Sequence, residues 1–299
     1  MTTINEPGVF EIPAAAYHAD PCPEPSLSAS IAKIICQQTP LHAWFAHPRL
    51  NPNFQREEEE KFDLGTAAHA LLLEGQAGVE VIDAPDWRTK AAREARDAAR
   101  AAGKLPLLAA RWADVLAMVK SAREQLDAHT EADDMFTEGK AEQTLIWQED
   151  TRDGAIYCRA RPDFLHDDHL LIDDYKTTGA SANPEAWTRG LFNSGFDIQA
   201  AFYLRGVRAI FGTPVIGTRS FFGFAVQENY PPYALSVISL APDALVIAEK
   251  KVLYAIDQWA KCLRANHWPG YPNRICYAGL PPWEEAAWLE KETMDGHTI

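Results

Sequence analysis

Residues 159–178 read RARPDFLHDDHLLIDDYKTT, and they constrain the chain more than any other stretch. Two short runs with strand-like alternation flank the polar turn His166-Asp167-Asp168-His169. In the first run Tyr157, Arg159, Arg161 and Asp163 fall on one side, and Ile156, Cys158 and Ala160 on the other. In the second run Ile172, Asp174 and Lys176 share one side, and Leu171, Asp173 and Tyr175 the opposite one. The pattern predicts a hairpin that brings Asp163 beside Asp174 and Lys176 at a sheet edge. Asp167 and Asp168 read as a solvated turn, and Asp173, on the face away from Lys176, as a solvated neighbour.

Two carboxylates and an ammonium at one edge have a definite chemical use. Hard oxygen ligands hold Mg²⁺, which keeps several waters and binds phosphate oxygens. Such an ion stabilises charge building on a phosphate during displacement, and a nearby lysine orients or activates the attacking water. The plainer reading is a hairpin with an acidic turn.

Pro162-Asp163 followed by Asp174-Tyr175-Lys176 resembles the PD-(D/E)XK nuclease signature. The RPD triplet, the DYKTT run and the later FDIQAAFY narrow the resemblance to the RecE-like (exonuclease VIII) phage branch, related to the lambda and RecB-type nucleases. It covers roughly residues 63–203, and the SLSAS run at 26–30 with the Thr39-Pro40 step is similar to the family's N-terminal region.

The resemblance implies further site residues. His69 lies in GTAAHALLLEG on an expected buried helix. A lone histidine there is commonly a satisfied core residue, but nucleases of this type place a metal-binding histidine on such a helix. Gln199 and Tyr203, four apart on one helix face, look like the QxxxY element that positions the substrate backbone and the attacking water. Glu142 opens the strand-like run before the central hairpin, where the family has an acidic residue that binds metal or holds its water; surface acid is the competing reading. The expected metal set is therefore His69, Asp163 and Asp174, with Glu142 and the backbone carbonyl of Tyr175. The expected catalytic set is Asp163, Asp174, Lys176, Gln199 and Tyr203. Mg²⁺ is the implied cofactor, with Mn²⁺ as a substitute.

Charge does not by itself suggest a DNA enzyme. The net charge is −14, from 42 acidic and 28 basic residues, which argues against indiscriminate polyanion binding. The basic groups are locally concentrated instead. Residues 87–104 form an Ala-rich helical stretch with Arg88, Lys90, Arg93, Arg96, Arg100 and Lys104, relieved by Glu94 and Asp97. A solvated helix held by close ion pairs and a contact to the DNA backbone both fit it. Arg159 and Arg161 share a face with Asp163, where they could touch phosphate or neutralise the carboxylates.

The five cysteines, Cys22, Cys36, Cys158, Cys262 and Cys276, are scattered and form no CxxC pair. Some relatives carry an iron–sulfur cluster on one early and three late cysteines. Only Cys262 and Cys276 lie late here, so no cluster is expected, and the thiols read as free and mostly buried. No apolar run approaches bilayer length and the N-terminus is unlike a secretory signal, so a cytoplasmic location, in a bacterial host if phage-encoded, is expected.

These features predict one α/β domain over residues 1–299 with a restriction-endonuclease-like core, a mixed central sheet flanked by helices. Residues 1–135 form a mainly helical N-terminal portion, irregular over 1–25. A helix capped by Ser28 or Ser30 and a segment anchored by Trp44 and Phe45 follow. The acidic run 57–60 and Phe62 start the helix of His69, and an amphipathic helix begins at residue 105 with Leu108, Trp112, Val115 and Val119 inward. The catalytic core spans 136–265, including strands over 219–227 and 234–240 and a long helix from Pro242 with Val246, Leu253, Ile256, Trp259 and Leu263 inward. Residues 266–299 are an aromatic, proline-rich tail.

The expected activity is Mg²⁺-dependent degradation of linear double-stranded DNA. The resemblance implies 5′-to-3′ polarity, a homo-oligomeric ring and a single-strand annealing recombinase as partner. A structure-specific endonuclease on the same core, or a DNA- or protein-binding module without catalysis, are the alternatives.

Overall fold

The computed structural model describes residues 3–55, 64–212 and 221–295. The acidic run 57–60, Phe62 and the expected strand start at Arg219 lie outside the described residues. The chain divides into two compact units, Met1–Trp268 and Pro269–Ile299.

The first unit opens with β1 (Gly8–Phe10), α1 (Ala14–His18) and β2 (Leu27–Ser28). It continues with α2 (Ala29–Gln37) and α3 (Pro40–Ala46), each started by a hydroxyl cap. The Ser28 hydroxyl accepts from the Ile31 N–H and the Thr39 hydroxyl from the His42 N–H, with Pro40 in the first turn of α3. Phe45 is 66% exposed, so it is no core anchor. In α4 (Leu64–Leu73), Gly65, Ala67 and Ala68 are buried, and their small size lets the helix lie close to its neighbours.

Next come β3 (Val79–Ile82), α5 (Lys90–Ala101), β4 (Leu105–Leu108) and α6 (Ala109–Asp127). β3 and β4 pair in parallel across α5. Residues 105–108 are thus strand and not the start of the following helix. Pro106 explains the difference: it lacks an N–H and biases Leu105 away from helical geometry, so helix begins only at Ala109.

The core continues with β5 (Gly139–Ala141), β6 (Thr144–Thr151), β7 (Gly154–Ala160), β8 (Phe164–His166) and β9 (Leu171–Thr178). It closes with α7 (Pro184–Ser194), α8 (Phe196–Phe211), β10 (Phe221–Glu228), β11 (Leu235–Ser239) and α9 (Pro242–Ala265). Gly195 caps both α7 and α8 at φ 68°, the left-handed conformation that lets one helix abut the next. The second unit carries α10 (Pro282–Asp295), on which Trp283, Trp288 and Leu289 are exposed.

A five-stranded mixed sheet runs β11-β10-β9-β8-β5, with β9 and β10 parallel and its other pairs antiparallel. A four-stranded sheet runs β1-β6-β7-β2. This is the mixed α/β architecture with flanking helices. On one face of the five-stranded sheet, Ile172, Phe222, Phe224 and Val226 join a core with α2, α8, α9 and the four-stranded sheet. On the other face, Tyr175 and Ala225 join α4 and α6 through Ala67, Leu71, Val115 and Met118.

Three further expectations change. Residues 1–25 are not simply irregular: Asp20 and Cys22 are buried, and the Asp20 carboxylate accepts from the Ser26 N–H and hydroxyl. The hairpin is shorter than the sequence suggested, pairing only Phe164 with Asp173 and Leu165 with Ile172, while Arg159 belongs to the other sheet. Pro162, with no N–H for a ladder, sits where the chain leaves one sheet for the next. On α9, Val246 and Leu253 are exposed, and the inward face is Ala248, Val252, Ala255, Ile256, Trp259, Ala260 and Cys262. Small residues on that face let α9 lie close to α2 and α8. Among the described residues, no helix is long and apolar enough to cross a membrane.

Candidate active site

A two-stranded ribbon changes sheets at one level. Ala141 pairs with Phe164 in the five-stranded sheet, and Leu145 pairs with Ala160 in the four-stranded one. Residues 142–143 and 161–163 make the crossing side by side, tied by the Glu142 N–H donating to the Asp163 carbonyl at 3.0 Å. Glu142 turns this corner at φ 56°, a conformation uncommon outside glycine and characteristic of functional corners. The seam thereby faces two carboxylates, Glu142 and Asp163, toward α4.

His69 on α4 meets them. Its Nε2 lies 3.1 Å from Asp163 Oδ2, which also accepts the Tyr175 N–H at 2.9 Å. His69, Glu142 and Asp163 each offer a ligand atom within 4.8 Å of the others. Two ligands on one small divalent ion at about 2.1 Å stand at most about 4 Å apart, so a slight closure would let the three share an ion. One imidazole nitrogen and two carboxylates are a suitable donor set for that purpose.

Asp174 and Lys176 lie alongside. Lys176 Nζ contacts Asp174 Oδ1 directly, and Gln199 on α8 donates Nε2–H to Asp174 Oδ2 at 2.6 Å. Asp174 is therefore turned toward Lys176 and Gln199, and the triplet of close ligand atoms is completed by Glu142. Lys176 also stands 5.2 Å above the Phe196 ring. Tyr203, one turn beyond Gln199, donates to the Arg161 carbonyl at 3.2 Å and so holds the RPD crossing.

The charges are strongly coupled. Burial, then the charge of Asp163, pushes the Asp174 carboxyl up to about 6 despite Lys176. Burial alone would raise Asp163, but Lys176, the His69 hydrogen bond and the Tyr175 N–H outweigh it and hold Asp163 below its ordinary value. Burial would lower Lys176, yet Asp174 and Asp163 keep it above the usual lysine value. Its ammonium therefore retains the proton in this arrangement, which suits orienting a water or phosphate better than removing a proton. Burial would lower His69 too, but its bond to Asp163 raises it. Glu142 is raised by burial against the opposing charge of Arg161.

The arginines divide. Arg161 donates Nε–H to Glu142 at 2.5 Å and also bonds the Ile12 carbonyl and the Thr144 hydroxyl. It neutralises a carboxylate at the seam. Arg159 is 3% exposed, donates to Ser26 and pairs with Asp20 at 3.3 Å. It makes no bond to the site carboxylates, and it reaches the cavity beside the seam as one of its lining residues. Arg88, Lys90, Arg93 and Arg96 sit on α5 or its N-terminal approach, outside this cluster.

Two residues of the hairpin differ from their sequence reading. Asp173 is buried, accepting from the Phe136 N–H at 2.8 Å and pairing with His166 at 2.6 Å. A polar residue on a strand face reads as solvated unless long-range partners cover it, and the turn at Phe136 supplies that cover. One wall of the site was not implied by the nuclease motifs. A cavity of about 330 Å³ beside the seam is lined by Glu142, Arg161, Gln199 and Tyr203 together with Ser30 and Lys33 of α2. The SLSAS run was the available signal for this wall.

Comparison with known proteins bears on this geometry. The family model described as "PDDEXK-like domain of unknown function (DUF3799)" matches residues 39–280. No curated protein matches the chain. Among solved structures, a protein from Eubacterium rectale described as a candidate exonuclease is similar in fold. Its TM-score is 0.56 at 14% identity, covering 93% of this chain and 99% of that one.

Proposed function

Because the chain belongs to the PDDEXK-like family, we propose that it is a metal-dependent exodeoxyribonuclease that degrades linear double-stranded DNA from its ends. The observation that carries this reading is the meeting of His69, Glu142 and Asp163 next to the Asp174–Lys176–Gln199 set. A nuclease fold alone would not need all six groups at one corner. The exonucleolytic part is supported by the RecE-like motifs and by the description of the Eubacterium rectale protein. Polarity from the 5′ end, a ring of subunits and a single-strand annealing partner are part of the proposal by resemblance alone.

His69, Glu142 and Asp163 would hold the divalent ion, Mg²⁺ or Mn²⁺, with Asp174 and the Tyr175 carbonyl as the further ligands the family motif implies. Bound there, the ion would supply positive charge to phosphate oxygens and acidify a water. The chain's own groups do the rest. Lys176, in direct contact with Asp174, orients the water or the scissile phosphate. Gln199 fixes the Asp174 carboxylate. Tyr203 anchors the segment that carries Asp163. The cavity with Ser30 and Lys33 offers polar and cationic groups to the DNA strand entering the site.

The test uses linear duplex labelled at either end and closed circular DNA, each with Mg²⁺ and with chelator. The proposal expects label release from linear DNA with Mg²⁺ only, and circles left intact. Cleavage of circles would replace the exonuclease with an endonuclease, and no hydrolysis of any substrate would refute the enzymatic reading.

A further inference from the structure

The chain's charge is unevenly distributed. Residues 87–104 hold six cations against two carboxylates within a chain of net charge −14. The structure gives this stretch its own small sheet: α5 and the parallel pair β3 and β4 stand apart from the two main sheets, following α4, which bears His69. α5 buries only Ala92 and Ala99, so its attachment is a thin seam of methyl groups flanked by Arg96, whose side chain is 28% exposed, and its other residues face outward. Arg88 and Lys90 have side chains 91% and 85% exposed and pair with Asp86 and Glu94, each at 3.6 Å, while Lys104 pairs with Glu80 at 2.7 Å.

The cations are ordered on this helix. At 100° per residue, Arg93, Arg96 and Arg100 fall within about 60° of one another and make one stripe beside the alanine seam. Arg96 is held by Asp97 at 2.9 Å, whereas Arg93 and Arg100 have no carboxylate partner among the described residues. From Arg93 to Arg100 the stripe runs about 10 Å, at 1.5 Å per residue. Helices that cover themselves with internal ion pairs alternate acid and base on each face; this stripe does not.

We propose that the α5 stripe, Arg93, Arg96 and Arg100, binds the phosphate backbone of duplex DNA outside the catalytic corner. This rests on the nuclease reading for its substrate. An acidic enzyme repels DNA at long range, and a local stripe of guanidiniums, two of them without a carboxylate partner among the described residues, supplies attraction where the duplex is to lie. Backbone contacts carry no sequence preference, as an enzyme consuming arbitrary ends requires.

The experiment measures binding of a 30-base-pair duplex by fluorescence anisotropy, with chelator present, across a salt series. It compares the wild-type chain with the triple variants R93Q/R96Q/R100Q and R93K/R96K/R100K. Each phosphate contact contributes about 0.9 to the slope of log affinity against log salt, so the Gln variant should lose about 2 to 3 units of slope. It should bind at least tenfold more weakly at 0.1 M salt. The Lys variant should keep the slope, because backbone contacts need charge and not fork geometry. Turnover of the Gln variant at saturating DNA and Mg²⁺ should match wild type, with the loss confined to KM. Unchanged slope in a folded Gln variant overturns the proposal, as does a wild-type self-association that the Gln variant abolishes with DNA affinity intact. Since binding is read without metal, absence of hydrolysis would sink the nuclease reading and leave this measurement standing.

Discussion

Gln199 on α8 and Asp174 on β9 are joined by a 2.6 Å hydrogen bond that fixes one oxygen of a buried carboxylate while Lys176 holds the other. The bond explains why a helix arriving after the crossover belongs to the site. Removing it leaves Asp174 buried with one donor fewer, in a place that already pushes its pKa up to about 6. The Gln199→Leu variant should therefore fold and still lose activity. The expectation is a fall in kcat of about 10-fold to 10²-fold, with Lys176→Ala losing about 10²-fold to 10³-fold. Steady-state hydrolysis of linear duplex under saturating Mg²⁺ measures both. Normal turnover by a folded Lys176→Ala chain would remove that lysine from the mechanism.

Divalent metal should stabilise the fold through His69, Glu142 and Asp163. A ligand that binds only the native state at 100 times its Kd adds about 2.7 kcal/mol. Thermal melts with increasing Mn²⁺ or Mg²⁺ should rise for the wild-type chain, and the rise should shrink for His69→Ala and vanish for Asp163→Asn. Both variants remove a group from a half-open corner, so the metal-free melts remain interpretable. Equal metal-induced shifts in all three proteins would show that the ion does not bind there.

Much of this corner was legible in the sequence because strand alternation and short motifs are local. Period two sets Asp174 and Lys176 on one face, and four-residue spacing sets Gln199 with Tyr203. Glu142 could be placed before the hairpin but not at a left-handed corner beside Asp163, because that depends on two strands leaving their sheets at the same level. Arg159 read as a neighbour of Asp163 by alternation. The alternation ends at Pro162, and Asp20, far back in the chain, is what claims the guanidinium. Asp173 and His166 read as polar surface for the same reason: each satisfies the other, and neither partner is implied by spacing. α9 misled through composition, since Ala248, Ala255 and Ala260 take inward places beside Val252, Ile256 and Trp259 while Val246 and Leu253 face out.

Gly206 is a packing requirement of the core. A Cβ there would stand 2.6 Å from the ring of Trp147, which is fully buried on β6. Neither the ring nor the α8 backbone has free space to yield. Gly206→Ala should cost about 1–3 kcal/mol despite the better helix propensity of alanine. Guanidinium unfolding at fixed pH checks the sign, and a stabilised variant would contradict the tight approach of α8 to β6.

Acid should weaken the fold in two stages set by His47 and Asp20. The His47 ring is fully buried, accepts the Arg49 N–H on Nδ1 at 3.2 Å, and points Nε2 at the Ser26 carbonyl and Asp20. Burial, the largest influence, lowers its pKa, with Asp20 opposing and Arg159 assisting. Burial would raise Asp20, but His47, Arg159 and the Ser26 bonds bring it below its ordinary value, and Arg49 adds a further charge at 3.7 Å. Both folded values lie beneath the unfolded ones, so in each window the unfolded chain binds more protons. The stability tied to His47 is present above pH 6.5 and is lost as pH falls toward its depressed folded value. That of Asp20 is present above pH 3.8 and is lost on further acidification. Denaturant unfolding at pH 7.5 and 5.5 should then show the wild-type chain losing more stability than His47→Gln, which has no imidazole to protonate. Parallel losses in the two proteins would mean that His47 titrates in the folded chain as it does in the unfolded one.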